Sequence, residues 1–301
     1  MTAINITVPA TTANLGAGFD CIGAALTLYN QFKFTRIDSG FSISVTDLEA
    51  QKVSTDESNL AYQSFVKFYE HQGEKTPPVH IEIKLEVPLA RGLGSSATAI
   101  VGGLMGANHL AGLPLSQDEI MDLAIAIEGH PDNVVPALLG GCRLAASGDS
   151  WAICDVPWHE SIVPVVAIPN FELSTAEARR VLPQQVSRAD AIFNTAHLGL
   201  LVRALQTGRA DWLKVALQDK LHQPYRQALI HGFENVQTAA IEAGALGLVI
   251  SGAGPTLLAI VDKKQAAKVE SAIASAWQSA GIKADVKAIA LDERGARADI
   301  A

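Results

Sequence analysis

Residues 88 to 97 read Pro88-Leu89-Ala90-Arg91-Gly92-Leu93-Gly94-Ser95-Ser96-Ala97, residue types that suit the binding of a phosphate. Glycines at 92 and 94 let the backbone take positive φ and let a ligand approach with no Cβ in the way. Where a helix opens directly after such a turn, its unpaired N–H groups and the positive end of its dipole converge on one point. That point suits an anion. A second chemical string, Glu128-Gly129-His130-Pro131-Asp132-Asn133, holds two carboxylates and an imidazole, and its His-x-Asp pair could serve a metal or acid–base chemistry. In the second half, Thr175 and Arg179 lie four apart, on one face of a short helix, and Arg226 closes the string Leu221-His222-Gln223-Pro224-Tyr225-Arg226.

The elements that must position these groups follow from periodicity. Ile81 to Val87 alternate apolar with charged side chains, as a half-buried strand does, and Ser95 or Ser96 caps an apolar segment of helical period. The glycine stretch is therefore a strand-to-helix joint. Gly92 to Ala97 formally fits G-x-G-x-x-A, with Asp118 at about the dinucleotide-binding distance. After the helix, however, come Gly112-Leu113-Pro114-Leu115-Ser116 and another helical stretch, where a Rossmann unit needs its second parallel strand. A Walker loop is excluded because no Gly-Lys-Ser/Thr follows. On the residues alone, a plain glycine turn with a serine cap stays open.

Further strands are expected at 4–9, 24–36 and 41–46, with a helix opening near Asp56 to Asn59 and another at 117–127. A hairpin over 140–157 closes the first unit. Then come a strand at 163–168, helices over 174–243, strands at 245–251 and 255–261, a helix at 263–280 and a strand at 283–290. That is β-α-β-β-α-β with additional helices in the first crossover, the ferredoxin-like order. The expectation is an α+β protein of two domains, 1–157 and 158–301.

With 301 residues, 49% of them apolar and 18% charged, the chain can bury two cores and shows no signature of disorder. A net charge of −8 without any Lys/Arg cluster argues against nucleic-acid or anionic-membrane partners. Neither a signal-peptide pattern nor a membrane-length apolar run is present. Three cysteines without metal spacing, Cys21, Cys142 and Cys154, read as thiols of a reducing, cytoplasmic compartment.

The string Pro-x-x-x-Gly-Leu-Gly-Ser-Ser-Ala at 88–97 resembles the phosphate loop of the GHMP kinases (galactose, homoserine, mevalonate and phosphomevalonate kinases). Pro9-Ala10-Thr11-Thr12-Ala13-Asn14-Leu15-Gly16-Ala17-Gly18-Phe19-Asp20 resembles the first motif of the homoserine-kinase branch, departing from it at Thr12 for Ser and Ala17 for Pro. Glu128 to Pro136 resembles the third, and the string Leu221 to Arg226 resembles the same family's Leu-His-x-Pro-Tyr-Arg. Ser251-Gly252-Ala253-Gly254-Pro255-Thr256 resembles the superfamily's C-terminal glycine loop.

The resemblance implies a ribosomal-protein-like first domain and phosphorylation of the L-homoserine hydroxyl by ATP, on the route to threonine. It implies an ATP loop from Pro88 to Thr98, Asn59 against the adenine or else a helix cap, and Mg²⁺ held by Ser96 and Glu128. Asp20 and Asn14 would meet the substrate ammonium, and Arg179 and Arg226 its carboxylate, guanidinium being suited to bidentate carboxylate binding. Asn133 and Thr175 match positions beside the reacting hydroxyl. No strong general base is required, because phosphoryl transfer rests mainly on positioning and charge stabilisation. Arg91 or Lys84 could assist with charge, and His130 with Asp132 could act as an acid–base pair or only brace Asn133 and Glu128. A homodimer is the expected assembly.

Overall fold

A computed structural model describes residues 3–300. In strand β1 (Ala3–Ala13) Ile4, Ile6 and Val8 turn into one core, as period-2 alternation requires. Its antiparallel partner β2 (Ile22–Arg36) sends Phe32 and Phe34 into the same core. The pairing slips between Pro9 and Ala10, and beyond that bulge the same two strands feed a second core through Ala10, Ala24 and Leu26. The β1–β2 ribbon is therefore the spine common to both halves of the molecule.

Strand β3 (Phe41–Asp47), helix α1 (Leu60–Gln72) and strand β4 (Val79–Leu85) follow, with β3 and β4 parallel. Helix α2 (Ser95–Leu110) lies directly on the ribbon, where a Cβ on Gly102 or Gly106 would run into the rings of Phe32 and Phe34. Helices α3 (Gln117–Glu128) and α4 (Pro131–Leu139) complete that layer. Helix α4 was not foreseen from the sequence. Pro131 occupies its first turn, where the missing N–H and fixed φ are tolerated. The hairpin β5 (Cys142–Ala146) and β6 (Ala152–Asp155) then pairs with β2.

The second unit comprises β7 (Ile162–Pro169), helices α5 (Thr175–Arg180), α6 (Arg188–Thr207), α7 (Ala210–Ala216), α8 (Gln223–Arg226) and α9 (Phe233–Ala243), then β8 (Gly247–Ile250), β9 (Leu257–Asp262), α10 (Ala266–Ser279) and β10 (Ala284–Ala288). Its sheet runs β10-β7-β9-β8 with every neighbour antiparallel. This is the β-α-β-β-α-β order read from the sequence. Both faces are covered: Leu257, Ala259 and Val261 face the core under α9 and α10, while Leu258 and Ile260 face the core shared with the ribbon. The strands therefore read as continuous apolar runs.

One element crosses back. Strand β11 (Arg297–Ile300) pairs antiparallel with β1, Ile4 opposite Ile300, so the first sheet has seven strands and includes the edge β11-β1. The division at 157/158 had placed this segment in the second unit. The connection into β11 is fixed on the way, Gly141 donating to the Asp292 carbonyl at 2.7 Å and Ala296 to that of Leu138, at the end of α4, at 3.2 Å. Among the described residues no helix is long and apolar enough to cross a membrane.

Candidate active site

The glycine stretch bridges β4 and α2 at the seam of the two units. Four consecutive carbonyls, of Ala90, Arg91, Gly92 and Leu93, accept hydrogen bonds from Leu173 N–H (3.1 Å), Thr256 N–H (3.2 Å), the Ser251 hydroxyl (2.7 Å) and Thr11 N–H (3.1 Å). In a trans peptide the C=O and the following N–H point to opposite edges, so the N–H groups of residues 91 to 94 turn away from these partners. Helix α2 adds the unpaired N–H groups of its first turn. Among the described residues, no backbone N–H from 91 to 97 makes a hydrogen bond. The result is a cradle of donors at a helix N-terminus, lined by Gly92, Gly94, Ser95 and Ser96.

Both glycines are required by geometry. Gly92 has φ 74° and Gly94 φ 67°, in the left-handed region. A Cβ on Gly92 would strike the Ser251 carbonyl oxygen, and one on Gly94 the Thr11 hydroxyl. Gly94, not a serine, occupies the N-cap, and Ser95 and Ser96 begin the helix with their side chains free of capping. That corrects the expectation of a serine cap and leaves the Ser96 hydroxyl to donate to Glu128 Oε1 at 2.8 Å.

Glu128 ends α3, Gly129 caps it in a left-handed conformation, and His130 is the N-cap of α4. His130 Nδ1 lies 2.7 Å from Asp132 Oδ1, and this hydrogen bond raises the imidazole pKa above its ordinary value against the opposing effect of burial. Asn133 is anchored between its neighbours: its Oδ1 accepts from the Thr11 hydroxyl at 2.8 Å, and its Nδ2 donates to Asp132 Oδ1 at 3.3 Å. All three side chains line the same pocket as the cradle.

The amino-acid-binding candidates complete that pocket. Asn14 and Asp20 both have left-handed backbones, φ 61° and 55°. The Asn14 Oδ1 accepts from Asp20 N–H at 2.8 Å while its Nδ2 donates to the Gly252 carbonyl at 2.9 Å. Arg179 grips Asp20 through both terminal nitrogens, at 3.0 and 2.8 Å, and this pairing raises its pKa further. Thr175 shares the pocket face of α5 with Arg179. Arg226 is 1% exposed and donates to the carbonyls of Ala178 (3.2 Å) and Gly252 (3.1 Å). Burial, and then the Arg179 charge, lower its pKa from the usual arginine range.

Some pocket partners escaped the sequence reading. Phe19 stacks on His222 at 5.2 Å between ring centroids and lies under both guanidinium groups, 5.1 Å from Arg226 and 5.9 Å from Arg179. His222 is fully buried, its pKa lowered chiefly by desolvation. Its Nε2–H donates to the Gly16 carbonyl at 3.0 Å, leaving Nδ1 toward Arg226. An aromatic between Gly18 and Asp20 was the available signal for Phe19. Cys21 is no nucleophile, since burial pushes its thiol up to about 11.

Several expected ligands lie elsewhere. Arg91 points away from the pocket: its guanidinium donates to the carbonyls of Pro169 (3.1 Å) and Leu89 (2.8 Å) and pairs with Glu49 and Glu172. Lys84 is exposed on β4 and paired with Glu86 at 2.8 Å. Leu93 and Ala97 bury their side chains in the cores, and the Thr98 hydroxyl bonds Ser95 O and Asn30. Pro88 and Leu89 do not line the pocket.

Asn59 caps α1, accepting from Ala61 and Tyr62 N–H at 3.0 and 3.2 Å, and lies outside the pocket. Replacing it by Ala is expected to cost about 1 kcal/mol of stability in a urea titration while leaving KM for ATP unchanged. A several-fold rise in that KM would return Asn59 to the nucleotide site.

Residues 59–141 match the family model for the GHMP kinases N-terminal domain and residues 201–279 that for the GHMP kinases C-terminal region. The homoserine kinase of Nostoc punctiforme is 68% identical over 299 residues, covering 99% of this chain and 98% of that one. That of Trichodesmium erythraeum is 62% identical over 299 residues, with 98% of each covered. The crystal structure of homoserine kinase from Cytophaga hutchinsonii superposes with a TM-score of 0.91 at 30% identity, covering 99% of this chain and 97% of that one. The mevalonate kinase of L. major, at 15% identity and a TM-score of 0.68 over 96% of this chain and 95% of its own, shares the fold.

Proposed function

The chain belongs to the homoserine kinases of the GHMP kinase family, and from that premise we propose a division of labour among the residues of its pocket. The reaction transfers the γ-phosphoryl group of ATP to the side-chain hydroxyl of L-homoserine, giving O-phospho-L-homoserine and ADP. The observation that carries the assignment of roles is one shared pocket. It joins the donor cradle at 92–96 to a carboxylate and two guanidinium groups, the set a zwitterionic amino acid needs.

The cradle N–H groups receive the phosphates, placing fixed dipoles where negative charge accumulates as the phosphoryl group moves. Arg179 and Arg226 take the substrate carboxylate, while Asp20, backed by Asn14, takes the ammonium. Thr175 and Asn133 flank the hydroxyl. Asn133 presents an N–H rather than a lone pair, since its oxygen is engaged by Thr11, so it orients the hydroxyl without removing its proton. Asp132 braces Asn133, and His130 in turn braces Asp132.

ATP is used with a divalent cation. The Ser96 hydroxyl and Glu128 carboxylate, 2.8 Å apart on the pocket wall, are the hard oxygen donors that Mg²⁺ takes. Among the described residues no cluster of three or more His, Cys, Asp or Glu is placed to hold a metal. Bound there, Mg²⁺ supplies charge neutralisation of the phosphates. Glu128→Gln is expected to raise the half-saturating Mg²⁺ concentration roughly 10- to 150-fold, the equivalent of about 1.5–3 kcal/mol for one charged contact. An unchanged Mg²⁺ dependence would place the ion on other groups.

The test of the whole reading is ADP release with Mg-ATP across L-homoserine, L-serine, L-threonine, mevalonate and galactose. Turnover confined to homoserine supports it, and preference for another alcohol overturns it. The three cysteines without metal spacing suit a reducing, cytoplasmic compartment, and the expected homodimer is checked by light scattering.

A further inference from the structure

Thr11 is fully buried at the end of β1 and touches the two halves of the reaction site at once. Its backbone N–H donates to the Leu93 carbonyl inside the phosphate cradle at 3.1 Å. Its hydroxyl donates to Asn133 Oδ1 at 2.8 Å, across 122 residues of sequence. Gly94 lies against this contact so closely that a Cβ there would strike the Thr11 hydroxyl and come within 3.1 Å of Asn133 Oδ1.

The Thr11 contact decides which way the Asn133 amide faces. Asp132 Oδ1 stands 3.3 Å from Asn133 Nδ2, and a carboxylate only accepts. A flipped amide would set its oxygen against that carboxylate and lose the hydroxyl proton of Thr11. In the observed orientation one N–H goes to Asp132 and the second is left over, on a residue that lines the pocket.

We propose that Thr11 is a positioning residue for phosphoryl transfer, its hydroxyl aiming the Asn133 amide at the acceptor hydroxyl while its N–H fixes the phosphate cradle beside it. Donor and acceptor are thereby held in register by a single residue. Near-attack geometry is sensitive at this scale, a 1 Å error costing about a hundredfold. The proposal rests on the assignment of Asn133 to the acceptor hydroxyl.

The experiment is a double-mutant cycle with steady-state kinetics for both substrates. Thr11→Val keeps the shape and backbone N–H but removes the hydroxyl. It is expected to lower kcat about 10- to 100-fold with both KM values within about threefold of wild type, and Thr11→Ser is expected to restore most of the loss. In an Asn133→Ala background Thr11→Val should add nothing, because the group it aims is gone. Where the valine methyl crowds Gly94 and lowers the yield of folded protein, Thr11→Ala replaces it.

Losses that add across the cycle, or an unaffected kcat in Thr11→Val beside an impaired Asn133→Ala, overturn the proposal alone. A fully active Asn133→Ala overturns it together with the assignment beneath it.

Discussion

Gly92→Ala is expected to lower kcat/KM for ATP by about two to three orders of magnitude. Gly92 has φ 74°, and a side chain held in the left-handed region costs roughly 1–3 kcal/mol. The added Cβ also meets rigid neighbours: the Ser251 carbonyl oxygen directly, and the backbone nitrogen and oxygen of Gly254 at 2.9 Å. None of these can rotate away, so the loop or the glycine turn at 251–254 must move. Either movement breaks the Ser251–Gly92 hydrogen bond of 2.7 Å and tilts a peptide of the donor cradle. Together these effects amount to about 3–4 kcal/mol, a few hundredfold in rate at roughly 1.36 kcal/mol per decade. The KM for homoserine should rise less, because the added Cβ reaches that site only through the Gly252 carbonyl, to which Asn14 and Arg226 both donate. A kcat/KM for ATP close to that of the unchanged enzyme would mean that the cradle is not built by this contact.

Arg179→Met should act on the other substrate. In the unliganded pocket Asp20 and Arg179 satisfy each other through two hydrogen bonds, so an amino acid must open this pair and replace each half with its own opposite charge. Opening it is cheap, because both side chains are about a third exposed and such pairs contribute only about 0–1 kcal/mol. The substrate contacts that replace it are charge-assisted on both sides and are worth about 2–4 kcal/mol. KM for homoserine is therefore expected to rise roughly 30- to 1,000-fold, with KM for ATP little changed. Asp20→Asn should resemble it in kind. An equal rise in both KM values would argue that the residue supports the fold of the pocket rather than the substrate.

The parts of this site legible in the sequence are those whose partners lie within the same short string. Glycine spacing at 92 and 94, a carboxylate closing a helix at Glu128, and Thr175 with Arg179 on one helical face are all local facts. The second sheet was readable for a similar reason, since β7, β8 and β9 are apolar on both faces and turn signals bound them.

What stayed hidden depends on distant partners. Arg91 sits in a phosphate-binding string and reads as a phosphate ligand, yet its guanidinium is turned from the pocket by the Pro169 carbonyl, 78 residues away, and by the carboxylates of Glu49 and Glu172. Thr11 is an unremarked hydroxyl just past the strand expected at 4–9 until Asn133 is folded onto it. Helix α4 was masked because Pro131 and Pro136 suggest a loop, whereas one sits in the first turn and the other is accommodated inside the helix.

Strand β11 carries a kinetic consequence. The outer edge of β1 finds its partner only when residues 297–300 have left the ribosome, almost 300 residues after β1 itself. The connection before it also ties the end of α4, the helix bearing Asn133, through Ala296 and the neighbouring Gly141. Contacts of such long sequence separation form late. Translation therefore leaves the nascent first sheet with an additional open edge along β1, a template for intermolecular pairing, and the helix that carries Asn133 gains the tie at its C-terminal end only at the last step of assembly.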